Sequence, residues 1–334
     1  MDRDELLDRA KGSLYGLAIG DALGAPVEGW SVARIRETYG WISGYVCEDV
    51  AGTDDTEFAV LTARCICKAG GVPAPDFLAT MWLEHCADWP LKRDLMSSGG
   101  MSEKRTVANL LRGLQPPFSG RYHMANSSCG AAMRVAPCGI AAPGNLDLAR
   151  RLARADASVS HWDEGVIQAE AIASAVCMAM AGHDLPTILN AALAAIPEES
   201  WTRYVLEQCF ATVSRYDNPR DALPELWAVS DTGVPNSHGP GACALALTAL
   251  RYGGGDFRET VLLAVNAGRD CDSSAAQAGA IVGAAVGYRG LPAEWATRIG
   301  PLPGDTLSPM AGVVLANVAA DLVDAACWLA QVES

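Results

Sequence analysis

No stretch of this 334-residue chain alternates apolar and polar side chains with period two. Apolar residues recur instead at spacings of three and four. Leu6, Leu7, Ala10, Leu14, Leu17 and Ala18 share one face of a helix predicted over 4–22. The same period predicts helices over 55–69, stopped by Gly70-Gly71, and over 75–87, 146–158, 164–181, 186–195, 201–216, 240–251 and 256–268. Another follows Asp270 to about Val286, and 315–329 closes the chain. Segment 20–26 reads as glycine-rich, 31–52 as irregular and 131–140 as short and apolar. Segment 96–124 holds Ser97-Ser98-Gly99-Gly100 and Pro116-Pro117, and reads partly as a functional loop. No repeat or long linker divides the sequence. One all-α domain over 1–334 is the economical expectation.

Composition fits helices that approach closely. Hydrophobic residues make up 50% of the chain but aromatics only 7%, so the apolar mass is Ala, Val, Leu and Ile. The formal charge of −14, without any Lys/Arg run, argues against nucleic acid and anionic membrane as partners. An acidic protein that takes an anionic nucleotide must neutralise it locally, with metal ions or a few arginines. The eleven cysteines include no Cys-x-x-Cys pair; the nearest spacing is Cys65-Ile66-Cys67. They read as reduced, mostly buried thiols. The opening Met1-Asp2-Arg3-Asp4-Glu5 is not a signal peptide, and the small-apolar run 275–287 is short for a membrane span. A cytoplasmic protein is expected. The oligomeric state is not legible.

Two acidic clusters carry the chemistry. Thr53-Asp54-Asp55-Thr56-Glu57 stands just before an apolar helix. One reading is a helix cap with acids on the first turn. A cap needs a single side chain, however, and four consecutive oxygen-bearing residues exceed that need. Asp270-Cys271-Asp272-Ser273-Ser274 precedes a helix of Ala, Gly, Ile and Val with almost no polar surface. Such a helix must be buried, which encloses its acidic N-terminus. Uncompensated buried carboxylates are very costly, and a hard cation such as Mg²⁺ or Mn²⁺ resolves the cost. Four Asp with Thr and Ser suffice for two ions able to activate a water. Roughly 215 residues separate the clusters, so only the fold can unite them.

Four segments resemble the ADP-ribosylglycohydrolase family, in the family's order and across almost the whole chain. They are Gly16-Leu17-Ala18-Ile19-Gly20-Asp21-Ala22-Leu23-Gly24-Ala25-Pro26-Val27-Glu28, Gly52-Thr53-Asp54-Asp55-Thr56, Cys129-Gly130-Ala131-Ala132-Met133-Arg134-Val135-Ala136-Pro137 and Gly268-Arg269-Asp270-Cys271-Asp272-Ser273. The resemblance implies a single orthogonal bundle of α-helices with two Mg²⁺ or Mn²⁺ ions in a cleft. It implies Thr53, Asp54 and Asp55 as one set of metal ligands and Asp270, Asp272 and Ser273 as the other, with Asp55 and Asp272 central to catalysis. Glu28 resembles the catalytic acid near the substrate ribose. His161 resembles a histidine close to the ligand in some members; a capping or buried histidine is the alternative. Asn126, Ser128, Cys129, Gly130, Met133 and Arg269 fall at substrate-recognition positions. Cys129-Gly130 stands where many members have Asn-Gly, Asn126 where some carry an acid, and Arg269 where a small residue is usual. These departures concern the substrate and not the metal set.

Cys129 has no His or Asp at a nucleophile's spacing, so it reads as a cleft-lining residue. Arg134 fits a buried hydrogen-bond network as well as a substrate contact. The implied activity is cleavage of an N- or O-glycosidic bond at C1 of ribose in an ADP-ribosylated protein or a small ADP-ribosyl or ribosyl compound. Terpene cyclisation also fits an acid-rich helical fold, but no second metal motif occurs and aromatics are scarce. A catalytically altered ADP-ribose or nucleotide binder is the third alternative.

Overall fold

In a computed structural model describing residues 1–86, 100–233 and 238–332, helices dominate and no strand occurs among the described residues. In chain order the helices are α1 (Arg3–Gly24), α2 (Val32–Tyr39), α3 (Asp54–Ala69), α4 (Pro75–Cys86), α5 (Met101–Leu111), α6 (Phe118–Arg121), α7 (Ala136–Ile140), α8 (Leu146–Ala157) and α9 (Glu164–Met180). Then come α10 (Leu185–Leu193), α11 (Trp201–Val213), α12 (Leu223–Val229), α13 (Gly239–Gly253), α14 (Phe257–Asn266), α15 (Cys271–Val286), α16 (Ala293–Ala296) and α17 (Leu315–Val332). The long helices predicted from periodicity are present, with ends shifted by a few residues. Segment 31–52 is corrected: it contains α2, which Ser31 caps by accepting from the Arg34 amide at 3.2 Å and which buries Val32 and Ile35. Of the expected loop 96–124, Met96 to Gly99 lie outside the described residues, and most of the remainder is α5 and α6.

The pairing of α1 with α15 sets the position of the site. Gly12, Gly16, Gly20 and Gly24 form one stripe along α1, spaced by one turn each. A Cβ at Gly16 would overlap the carbonyl oxygen of Gly279, one at Gly20 the carbonyl of Ala275, and one at Gly24 the backbone of Asp272. Glycine is therefore a packing requirement here, and it outweighs glycine's poor helix propensity. Helix α1 accordingly runs through the glycine-rich residues to Gly24, two residues past the predicted end at Ala22. Gly16→Val is expected to cost of order 3 kcal/mol, since neither backbone can yield. Urea unfolding would measure it, and an unchanged midpoint would refute the close-contact account.

Helix α17 is long and apolar enough by composition to cross a membrane. Its buried positions Leu315, Val318, Ala319, Leu322, Val323, Ala326 and Leu329 repeat at three and four, as on one face of a bundle helix. Eight of the eleven cysteines are buried, in line with the expectation of mostly buried thiols.

Candidate active site

The two acidic clusters meet. Asp54 and Asp55 begin α3, Asp270 and Asp272 flank the start of α15, and all four line one cleft of about 410 Å³, open to solvent. Glu28, from the turn after α1, joins them, as do Ser128, Cys129, Gly130 and Met133 from the loop before α7 and Ser102 and Glu103 from α5. Ligand oxygens of Glu28, Asp270 and Asp272 lie within 4.8 Å of one another. Ser273 bridges the clusters by donating to Asp55 Oδ1 at 3.3 Å, although 218 residues separate the two.

The capping interpretation of the clusters fails on their geometry. Thr53 and Asp270 occupy N-cap positions, yet neither side chain accepts a capping hydrogen bond. Thr53 instead donates its hydroxyl to Asp21 Oδ1 at 2.8 Å and its amide to Asp21 Oδ2 at 2.7 Å. Thr56 directs its own amide to the same carboxylate at 3.2 Å. Glu57, though adjacent in sequence, belongs elsewhere: it is buried and accepts from the backbone of Asp305 at 3.0 Å and Thr306 at 3.1 Å.

Asp21 was not singled out from the sequence. It is the sole charged residue between Lys11 and Glu28, in an otherwise apolar helix, and that isolation was the available signal. It holds the start of α3 in place, and so orients the first acidic cluster. Glu103 and Ser102 were also missed, having been read as part of a loop.

The cleft is electrostatically unbalanced by its own carboxylates. Burial, then the nearby Asp21, Asp54 and Asp270, pushes Asp55 well above the ordinary carboxylate range. Burial, then Asp270, Asp55 and Glu28, does the same to Asp272. Burial raises Asp270 too, against hydrogen bonds from neighbours that include the Cys129 thiol at 2.7 Å. Asp21 rises to about 6, mainly through burial, opposed by hydrogen bonds from Thr56 and Thr53. Glu28 rises to about 7, through desolvation of its carboxyl and then repulsion from Asp270, Asp54 and Asp21. As a residue Glu28 is exposed, so water screens part of this, but both causes act upward. Asp270 and Asp272 stand within hydrogen-bonding reach of each other, which requires a proton or a cation between them. Asp55 Oδ2 and Asp272 Oδ1 are buried with no hydrogen-bond partner among the described residues. Unpartnered carboxylate oxygens facing further carboxylates are the donor set of a hard divalent cation.

Three candidate recognition residues lie outside the cleft lining. Arg269 adopts a left-handed backbone, φ 60°, held by bonds between its backbone and Gly29 and Trp30. Its guanidinium donates to Trp227 O at 2.6 and 3.0 Å, pairs with Asp231 at 3.1 Å and covers the Trp227 ring, so it turns toward α12. Asn126 donates to Arg121 O at 3.0 Å and closes its own loop. His161 is completely buried and reaches the cleft only through Ser128, whose hydroxyl lies 2.9 Å from Nε2. Arg134 is also fully buried, donating to Asp156 Oδ2 at 2.9 Å and Gly130 O at 2.7 Å, which is the network alternative.

The family model for ADP-ribosylglycohydrolase matches residues 2–327. The chain belongs to the ADP-ribosylglycohydrolase family. It is 33% identical over 291 residues to an uncharacterized protein of Archaeoglobus fulgidus, covering 83% of this chain and 87% of that one. It is 27% identical over 303 residues to the ADP-ribosylarginine hydrolase Tri1 of Pseudomonas putida, covering 89% and 75%. A solved structure described as an ADP-ribosylglycohydrolase-related protein complex superposes with a TM-score of 0.67 at 25% identity, over 97% of this chain and 99% of that one. The fold is the family's helical fold, and family membership makes the protein a glycosidase-type hydrolase.

Proposed function

We propose that this ADP-ribosylglycohydrolase hydrolyses the bond at C1 of ribose in an ADP-ribosylated protein or a small ADP-ribosyl or ribosyl compound. The observation that carries the reading is the meeting of Asp54-Asp55 with Asp270 and Asp272 in one cleft, where Asp55 Oδ2 and Asp272 Oδ1 are buried with no hydrogen-bond partner among the described residues. Thr53, Asp54, Asp55, Asp270, Asp272 and Ser273 would hold two divalent ions, Mg²⁺ or Mn²⁺, which supply Lewis acidity toward ribose hydroxyls and water. The chain's own carboxylates stabilise positive charge developing at C1 as the bond to the leaving group breaks. As the water oxygen bonds to C1 and the C1–leaving-group bond breaks, Glu28 accepts one proton of the attacking water, and that proton passes on through solvent to the leaving group, which restores the carboxylate. A carboxylate with its proton affinity raised toward neutrality is suited to that exchange. The unpaired thiols favour a reducing, cytoplasmic setting, and the absence of a basic run disfavours nucleic acid. The family match over 2–327 favours one domain.

Release of ADP-ribose or ribose from ADP-ribosylated proteins and small ribosides, with Mg²⁺, with Mn²⁺ and with chelator, tests this reading. No release from any substrate with either metal would defeat it. Glu28→Gln is expected to lower kcat by about 10²–10⁴ with a melting temperature no lower than wild type, because Glu28 is exposed and outside the core and the amide removes a repelled charge. Wild-type turnover or early melting of the variant would remove Glu28 from the mechanism.

A further inference from the structure

Behind one wall of the cleft lies a closed ring of six side chains, and five of them are buried to 2% exposure or less. Arg134 Nη2 donates to Ser160 Oγ at 2.9 Å, and Ser160 Oγ lies 2.7 Å from His161 Nδ1. His161 Nε2 lies 2.9 Å from Ser128 Oγ, Ser128 Oγ 2.9 Å from Ser102 Oγ, and Ser102 Oγ 2.6 Å from Glu103 Oε2. Glu103 Oε1 faces Arg134 Nη1 at 3.4 Å, which closes the ring. Ser128, at 8%, is the most exposed member.

Charged groups fix the direction of every bond. A guanidinium only donates, so Ser160 accepts from Arg134 and has its own proton for His161 Nδ1. At the other end an ionised carboxylate only accepts, so Ser102 gives its proton to Glu103, and Ser128 must then give its proton to Ser102. Ser128 in turn needs a donor behind it, which is His161 Nε2–H. The reverse order leaves Ser160 with no acceptor and puts no proton between Ser102 and Glu103. His161 is thus neutral and protonated at Nε2. Its burial beside Arg134 also opposes the imidazolium.

The geometry assigns Arg134, His161 and Glu103 as positioning residues that polarise Ser128 and Ser102 in one direction, making that wall a hydrogen-bond acceptor for a substrate hydroxyl or N–H. Both serines line the cleft, and both have spent their protons inside the ring. Only lone pairs remain for a ligand. Among the described residues no Arg or Lys lines the cleft, and the lone pairs of Ser128 and Ser102 suit the donor groups of a sugar or amide. Gly130 belongs to the same construction, because a Cβ there would overlap Glu103 Oε1. The ligand half of this inference rests on the ribosyl-substrate reading above; the ring itself does not.

The test has two arms. In Mg²⁺-supplemented, ¹⁵N-histidine-labelled full-length protein, long-range ¹H–¹⁵N correlation is expected to show His161 as the neutral Nε2–H tautomer, with the signal assigned by its loss in His161→Gln. An Nδ1–H tautomer or an imidazolium at neutral pH overturns the proposal. In calorimetry with ADP-ribose, Ser128→Ala and His161→Leu are expected to weaken binding tenfold or more. His161→Gln, whose amide can donate from the Nε2 position, is expected to stay within threefold of wild type. Wild-type affinity in His161→Leu overturns the positioning role; should that variant fail to fold, the Gln variant and the tautomer decide. If wild type itself does not bind ADP-ribose, the ligand half of the inference is overturned, the release assay decides the proposed function, and the tautomer alone decides the ring.

Discussion

Asp55→Asn and Asp272→Asn are each expected to lower kcat/KM by roughly three decades or more, about 4 kcal/mol of transition-state stabilisation. Each carboxylate has one oxygen buried in the cleft without a partner among the described residues, so its interactions are directed at what the cleft holds. An amide keeps the shape but gives up the charge and puts an N–H donor on one side. The double variant should be little worse than the worse single one, because the two groups act on the same ions and the same substrate. Steady-state kinetics on the substrate found by the release assay measures all three. Near-wild-type kcat/KM in either single variant would disconnect the cleft carboxylates from the reaction. Strict multiplicativity of the two losses would argue that they serve separate sites.

How much of this was legible beforehand depended on whether a residue's role was local or tertiary. The long helices follow from apolar spacing, which a single strand of sequence displays. The cleft acids could be read because four oxygen-bearing residues in a row exceed the needs of a cap. The glycine stripe of α1 had no legible reason, because Gly20 and Gly24 lower helix propensity and only the facing backbones of Ala275 and Asp272 explain them. Helix α2 escaped because eight residues between turn-forming segments carry too little periodicity. Arg269 looked like a recognition residue from its place beside Asp270. Its left-handed backbone sends the guanidinium to α12 instead, and no pattern in the chain announces that angle. His161 was left open between ligand contact and buried residue. It is buried, yet tied to the cleft wall through Ser128. Ser102 and Glu103 were passed over because a polar stretch following Ser97-Ser98-Gly99-Gly100 reads as loop, whereas it starts α5.

Without divalent ions, the protein is expected to lose stability as pH rises from about 5 to 8, the opposite of the usual trend for paired carboxylates. Asp21 holds its proton to about 6 and Glu28 to about 7 in the folded state, and Asp55, Asp270 and Asp272 are displaced in the same direction. Unfolded carboxyls ionise near ~4. Over the interval between, the folded chain binds more protons than the unfolded one, so the unfolding free energy falls with rising pH. That stability is fully present below about 4, where both states are protonated, and is lost by the time pH passes the folded values. Divalent ions reverse the trend, since they bind ionised carboxylates and compete with the same protons. At a hundredfold excess over Kd, Mg²⁺ or Mn²⁺ should add about 2.7 kcal/mol for each ion bound near pH 8. That corresponds to roughly 4 °C in Tm at the usual per-residue unfolding entropy, and the gain should shrink toward pH 5. Asp55→Asn and Asp272→Asn should melt no lower than wild type in chelator, because a repulsion has been removed, and should gain less from metal. Thermal melts of the three proteins at pH 5 and 8, in chelator and in excess metal, make the comparison. Equal metal-induced shifts in all three would show that Asp55 and Asp272 are not ligands, and a wild-type Tm that rises with pH in chelator would contradict the electrostatic account of the cleft.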